Sequence, residues 1–308
     1  MPELRVGTRG SLLALTQTRA FVAALEQAHP GVKFHEVLIQ TEGDKTSIPL
    51  NQATQPGLFV SALRDALLAG EVDFIVHSMK DLPAVAHPEI LTACVPVRED
   101  NRDGLVARDG LTLDTLPAGS VVGTSSPRRT ASLRSARPDL DIRPIRGNVD
   151  TRIAKVRRGE FDATLLAMAG LNRIGRSHEV SQIFAVDHFV PAAAQGALSV
   201  ECRASDMALV KLLSHLEDPA TRLTSTAERA VLRGLSAGCA TAIGASATFI
   251  DGTLSLTAEL AVEDTGASAR VTETCETQLS DVESAELLGR RVANALLAHP
   301  IATDVAWA

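Results

Sequence analysis

Alternation of short apolar runs with helical patterns constrains this chain more than any other feature. Over residues 1–95, apolar segments at Leu4–Gly7, Phe34–Ile39, Val72–His77 and Leu91–Val97 alternate with helical patterns at Leu12–Gln27 and Leu58–Leu68. In the first helix the apolar positions 12, 15, 22 and 25 keep helical spacing, and Ser11 stands where an N-cap belongs. Strands separated by helices of this length need crossover connections, which give an α/β unit with a largely parallel sheet. Thr41–Gly57 interrupts the pattern with polar residues, Pro49, Pro56 and two glycines. It reads as a long loop, and loops of that length are usually mobile or functional.

The pattern breaks at Arg98-Glu99-Asp100-Asn101-Arg102-Asp103 and then restarts. Val121–Gly123, Ile142–Ile145 and Ala163–Ala167 read as strands, with helices over Arg128–Arg137 and Val149–Arg158. Ala192–Glu201 adds one more apolar strand, with Gly196 inside it. The rest differs: a helix over Ala220–Leu235, strands over Ala245–Ile250, Leu254–Val262 and Arg270–Gln278, and a helix over Val282–Ala298. A turn at Asp251-Gly252 between two of these strands points to an antiparallel sheet. The expected fold is therefore two α/β domains plus a small C-terminal α+β domain, which 308 residues can fill. No run of eighteen apolar residues exists, and Met1-Pro2-Glu3-Leu4-Arg5-Val6 lacks a basic segment leading into an apolar one. Cys94, Cys202, Cys239 and Cys275 lie far apart with no CxxC pair. A cytoplasmic protein without disulfides is the expectation.

Charge narrows the function. The net charge of −7 is uneven: residues 1–96 carry −3, 97–180 carry +4, 181–215 carry −1 and 216–308 carry −7. Fourteen of the twenty-five arginines fall between Arg98 and Arg176, against five lysines in the whole chain. A GC-rich genome would account for the overall ratio but not for the clustering. A basic middle in an acidic protein suggests a local anion site rather than a broad polyanion-binding face. Eight Phe, one Trp and no Tyr leave few platforms for stacking bases, so nucleic acid is not expected as a partner.

Three strand-to-helix turns share one device. Thr8-Arg9-Gly10-Ser11, Thr124-Ser125-Ser126-Pro127-Arg128-Arg129 and Arg146-Gly147-Asn148 through Arg152 each open a helix with hydroxyls or amides beside arginines. Free N–H groups at a helix start, joined by a guanidinium, suit carboxylate or phosphate oxygens. Alternatively, Ser11 and Asn148 are plain caps and the arginines are solvated. No turn matches a Walker A or GxGxxG pattern, so a nucleotide has no specific support. A ligand with several carboxylates or phosphates fits this repeated device at strand ends.

Two further segments carry chemistry. In Val72-Asp73-Phe74-Ile75-Val76-His77-Ser78-Met79-Lys80-Asp81-Leu82-Pro83 a strand runs into an amine and a carboxylate and is stopped by Pro83. Lys80 and Asp81 read equally as an exposed turn pair, and His77 reads as a satisfied core histidine. Cys239, in Gly238-Cys239-Ala240-Thr241, sits among small residues in an expected loop, whereas the other cysteines lie in strand-like segments. That placement permits covalent chemistry, although an inert thiol fits as well.

Taken in order, Arg9-Gly10-Ser11-Leu12-Leu13-Ala14, Val76 through Pro83, Gly123 through Arg129, Arg146-Gly147-Asn148, Pro191 through Ala197 with Glu201-Cys202-Arg203, and Thr226-Ala227-Glu228-Arg229 with Gly238-Cys239 resemble the porphobilinogen deaminase (hydroxymethylbilane synthase) family. The resemblance covers about residues 4–244 and fades over the last sixty. It implies a cytoplasmic monomer with two periplasmic-binding-protein-like α/β domains: residues 1–96 with 197–215, and the arginine-rich 97–196. Residues 216–308 would form the α+β domain that carries the cofactor cysteine. The resemblance also implies a transferase that condenses four porphobilinogen units on a covalent dipyrromethane primer and releases a linear tetrapyrrole, with no metal, nucleic acid or membrane involved.

By the same resemblance, dipyrromethane is attached through a thioether to Cys239, and Lys80, Ser126, Arg128, Arg129, Arg146 and Arg152 hold it. Arg9, Ser11, Arg173 and Gln195 bind substrate, and Asp81 is the catalytic carboxylate. Two departures stand out. Asn51-Gln52-Ala53-Thr54-Gln55-Pro56 replaces lysines that the family usually places before Gly-Leu-Phe, and Ala194 stands where glycine is frequent. The competing class is a non-enzymatic bilobal binding protein for a polycarboxylate, which would need a signal peptide or anchor and would give Cys239 no role.

Overall fold

A computed structural model describes residues 3–40, 60–238 and 241–307. The expected loop at 41–57 and Cys239 lie outside the described residues. The chain forms two compact units, Met1–Arg98 with Ala197–Arg222, and Glu99–Gly196 with Leu223–Ala308.

The first unit begins with β1 (Glu3–Thr8), α1 (Leu12–Ala28), β2 (Lys33–Leu38), α2 (Ser61–Leu68), β3 (Phe74–Ser78) and β4 (Ile90–Cys94). The second takes β5 (Asp103–Ala107), β6 (Val121–Gly123), α3 (Pro127–Ala136), β7 (Asp141–Arg143), α4 (Val149–Arg157), β8 (Ala163–Ala167), α5 (Met168–Arg173) and β9 (Gln182–Ile183). The chain then returns to the first unit as β10 (Leu198–Arg203) and α6 (Met207–Leu213). It ends with α7 (Pro219–Gly234), β11 (Ile243–Ile250), β12 (Thr253–Ala261), β13 (Ser268–Glu276) and α8 (Val282–Ala298).

The two five-stranded sheets share one plan, β2-β1-β3-β10-β4 and β7-β6-β8-β5-β9. In each, three parallel strands are joined by helical crossovers, as the sequence alternation requires. The fourth position is filled by an antiparallel strand from a distant part of the chain, β10 or β5. The largely parallel sheet expected from local patterns is thus a mixed one. The third sheet is an antiparallel meander, β11-β12-β13, covered by α8, whose Ala285, Leu288, Val292 and Leu296 recur at helical spacing and are fully buried. This meander belongs to the same compact unit as the middle segment, so three sheets occupy two units.

Ala192–Glu201 does not form one strand, and pairing begins only at Leu198. Ala194 and Gly196 take left-handed backbone with φ of 59° and 90°, which breaks the extended run. At Gly196 a side chain would run into the Glu99 carbonyl, so this position needs both the conformation and the missing Cβ. Ala194, the departure noted in the sequence, has a Cβ in that unfavourable region. Its N–H donates at 2.5 Å to Glu228 Oε2, a fully buried carboxylate that also accepts from the Ala247 N–H at 2.8 Å. Among the described residues no helix is long and apolar enough to cross a membrane.

Candidate functional site

Because β1 and β3 run parallel and adjacent, their carboxyl ends open on one edge. Arg9 and Ser11 follow β1, while Lys80 and Asp81 follow β3 in a single 3-10 turn, Met79–Asp81. Ser11 caps α1, its Oγ accepting from the Ala14 N–H at 3.3 Å. Gln17, buried on α1, donates from Nε2 to Ser78 Oγ at 3.1 Å and ties the helix to the turn. An amide inside a helical pattern carries no mark of this contact, and sequence reasoning missed it. Asp81 is exposed and Lys80 half-buried, so this edge presents a carboxylate to solvent.

His77 is in the core as the sequence suggested, 6% exposed, but it is not satisfied there: its buried Nε2 lies 3.6 Å from Glu201 Oε2 and makes no hydrogen bond among the described residues. Glu201 is held by both ends of the Arg64 fork at 2.9 and 2.6 Å. Burial outweighs Glu201 and, helped by Arg64 and Arg9, pushes the ring from 6.5 down to about 4. The unfolded chain therefore binds the extra proton between these values, and stability is full above pH 6.5 and lost as pH falls through the window. The drop from this group is about 3 kcal/mol. Urea midpoints measured from pH 7 to 4 should fall in the wild type and fall less in His77→Gln. An unchanged slope in the variant would assign the effect to another group.

The second unit repeats the arrangement. Ser126 caps α3 with Pro127 at its first position, and Asn148 caps α4, its Oδ1 accepting from the Thr151 N–H at 3.0 Å. Ser125 Oγ joins the two turns by donating to the Ile145 carbonyl at 2.9 Å. All of this lies at the carboxyl ends of parallel β6 and β7.

Arg128 and Arg129 are not the solvated residues that one sequence alternative allowed. They are 6% and 7% exposed, and both forks close on Asp103, at 2.8 Å to Oδ2 and 2.7 Å to Oδ1. Their other ends donate to the carbonyls of Val190 and Leu165 at 2.8 and 2.9 Å. Burial alone would raise the Asp103 carboxyl, but the two cations and hydrogen bonds from Arg129 and Gln195 hold it far below the usual carboxylate range. Asp103 is the buried partner of both arginines that the sequence did not reveal. It lay in the stretch read as a domain break, and only its place before Leu105-Val106-Ala107 signals a strand start.

This burial changes one expectation. The motif alone predicts that Arg128→Ala or Arg129→Ala damages ligand assembly far more than folding. Removing one partner of a buried ion pair costs about 3–5 kcal/mol, because an uncompensated charge remains. Arg129→Ala should therefore lose stability of that order in urea titrations as well, whereas a loss under 1 kcal/mol would show the Asp103 contact to be slack.

Arg146 and Arg152 join this edge from the β7 turn and α4. Arg152 Nε donates to the Gly147 carbonyl at 2.8 Å. Every influence on its guanidinium pushes the same way, burial first and then Arg129 and Arg146, bringing it down to about 10. Here is the concentrated positive charge that the arginine cluster implied. Arg173 donates to the Gly196 carbonyl at 2.6 Å, and burial lowers it despite Glu99. Gln195 Nε2 donates to the Asn101 carbonyl at 2.8 Å and to Asp103 Oδ1 at 2.9 Å. Of the described cysteines, burial pushes Cys94 up to about 12 and Cys202 to about 11, so neither is a ready nucleophile. Among the described residues no group of three His, Cys, Asp or Glu side chains is placed to hold a metal.

Comparison with known proteins points to one family. Residues 4–211 match the family model described as porphobilinogen deaminase, dipyrromethane cofactor binding domain, and 222–298 match its C-terminal domain. The chain is 47% identical to porphobilinogen deaminase of Thermobifida fusca over 98% of this chain and 96% of that one. It is also 47% identical to that of Nocardia farcinica, covering 96% and 85%. Among solved structures, the VFT2 domain of Bordetella pertussis BvgS is 14% identical, covers 69% of this chain and 85% of its own, and has a TM-score of 0.40. With both family models matched in order across nearly all of its length, the chain belongs to the porphobilinogen deaminase family.

Proposed function

We infer that this chain is a hydroxymethylbilane synthase, a transferase that deaminates porphobilinogen and joins four units head to tail into a linear tetrapyrrole. Beyond family membership, the observation that carries the reading is the gathering of Arg129, Arg146 and Arg152 at the carboxyl ends of β6 and β7, where burial first and the neighbouring charges second depress Arg152. Carboxylates relieve such a cluster, and arginine forks accept them in pairs. The family's dipyrromethane fits this donor set, because the buried Nε–H groups of Arg128 and Arg129 have no acceptor among the described residues. When bound, that group supplies the covalent primer for chain growth.

On this reading Cys239 bears the primer as a thioether, which hydrolysis spares. Ser126, Arg128, Arg129, Arg146 and Arg152, with Lys80, hold its acidic side chains. Arg9, Ser11, Arg173 and Gln195 receive those of the substrate. Asp81 acts on the substrate itself. Loss of ammonia from porphobilinogen leaves a cationic azafulvene, and a carboxylate about 4 Å away contributes on the order of 4 kcal/mol at an effective dielectric of 20. That corresponds to about three decades of rate. After each carbon–carbon bond forms, Asp81 helps remove the proton that restores the pyrrole. We place this activity in a cytoplasmic monomer, on the family resemblance and the free thiols of Cys94, Cys202 and Cys275.

The intact mass of the purified protein tests the reading. An increment of two pyrrole units, growing by single units when porphobilinogen is added, supports it. An unmodified chain that never gains mass while product forms would overturn it.

A further inference from the structure

The mechanism above gives Asp103 no part, yet Asp103 is fully buried at the amino end of β5. Antiparallel pairing sets it opposite Ala167, the last residue of β8, and so at the edge where the parallel strands end. Neighbouring guanidiniums on one helical turn repel, and long side chains have many rotamers. A carboxylate that accepts one N–H from each arginine and a third from Gln195, while Val190 and Leu165 fix the far ends, leaves a single arrangement. A purely structural ion pair would be neutral. This triad instead carries two cations and one anion; Glu259, the next acid acting on Arg128, is already held by Arg270 at 2.8 Å, and the Nε–H of Arg128 and of Arg129 is buried with no acceptor among the described residues.

We propose that Asp103 is a positioning residue for anion recognition: it locks Arg128 and Arg129 into one rigid unit with a single surplus positive charge, whose remaining N–H groups take a carboxylate of the pyrrole ligand. This rests on assigning those two arginines to the ligand.

Asp103→Asn and Asp103→Glu test it beside Val292→Ala, a truncation in the core under α8 that lowers stability away from the arginines. Two quantities are read, each compared at matched melting temperature. One is the fraction of chains carrying the primer by intact mass. The other is the porphobilinogen concentration giving half-maximal thermal protection. The Asn variant should lose at least tenfold in loaded fraction and need at least tenfold more porphobilinogen than the Val292→Ala control. The Glu variant, which keeps the charge, should recover part of both. An Asn variant that loads and binds like the control overturns the proposal. If the Asn chain does not fold, the Glu variant decides: a raised midpoint with unchanged melting supports positioning, and a wild-type midpoint overturns it. A wild type without any primer would sink the covalent reading instead, and the porphobilinogen midpoint then decides the role of Asp103 by itself.

Discussion

Cys239→Ser is expected to give a folded chain with no covalent dipyrrole and no turnover. A thiolate is a strong nucleophile near neutral pH, whereas a serine hydroxyl at its ordinary pKa is not, so a one-atom change removes the attachment chemistry. No other described cysteine stands ready to replace it: Cys94 and Cys202 are buried with thiols pushed up to about 12 and 11, and Cys275 is also raised, by burial first. The effect should be close to complete, because without a primer there is nothing to extend. Intact mass, thermal melting and porphobilinogen consumption check the three parts of the prediction. Normal turnover by an unmodified variant would remove the covalent mechanism.

Asp81→Asn should keep the fold and ligand binding while slowing catalysis by about three decades, the rate equivalent of the carboxylate–cation term. Asp81 is exposed in a short turn, so a nearly isosteric amide disturbs no core packing. The N-cap of α1, the Gln17–Ser78 contact and the triad in the second unit are all untouched by the change. Only the negative charge is lost. Asp81→Glu keeps that charge but moves it by one methylene, and should retain more activity while accumulating partly extended chains. Single-turnover mass spectrometry separates species with one, two or three added pyrroles. If the Asn variant adds them at the wild-type rate, Asp81 is a turn residue and another carboxylate must serve.

Much of this architecture was legible because its causes are local. Val121–Gly123, Ala163–Ala167 and Val282–Ala298 form as read, since a two-residue or a 3.6-residue period needs only neighbours in the chain. The capping roles of Ser11 and Asn148 followed from residue type and place. Strand β5 escaped because Asp103-Gly104 opens it with two poor strand formers, and β9 is only two residues long. The antiparallel insertion of β10 and β5 could not be read either, because their hydrogen-bonding partners are remote in sequence. Likewise, the last sheet shares a unit with the middle segment partly because Gly266, in the turn between β12 and β13, packs closely on the backbone of α3.

The sequence by itself determined that the arginine-, hydroxyl- and carboxylate-bearing motifs stand at strand ends, since motif and helix start are written in consecutive residues. Only the tertiary structure decided which charges are already answered. Asp103 is 25 positions from Arg128 and 92 from Gln195, and a non-local strand pairing brings all of them together. Their burial then turns contacts of marginal worth in water into a locked triad, because in a low-dielectric interior an unpaired charge costs several kcal/mol. Arg146 and Arg152 lie in the same sequence cluster as Arg128 and Arg129. It is the fold that closes one pair on a carboxylate and sets the other two where their charges repel.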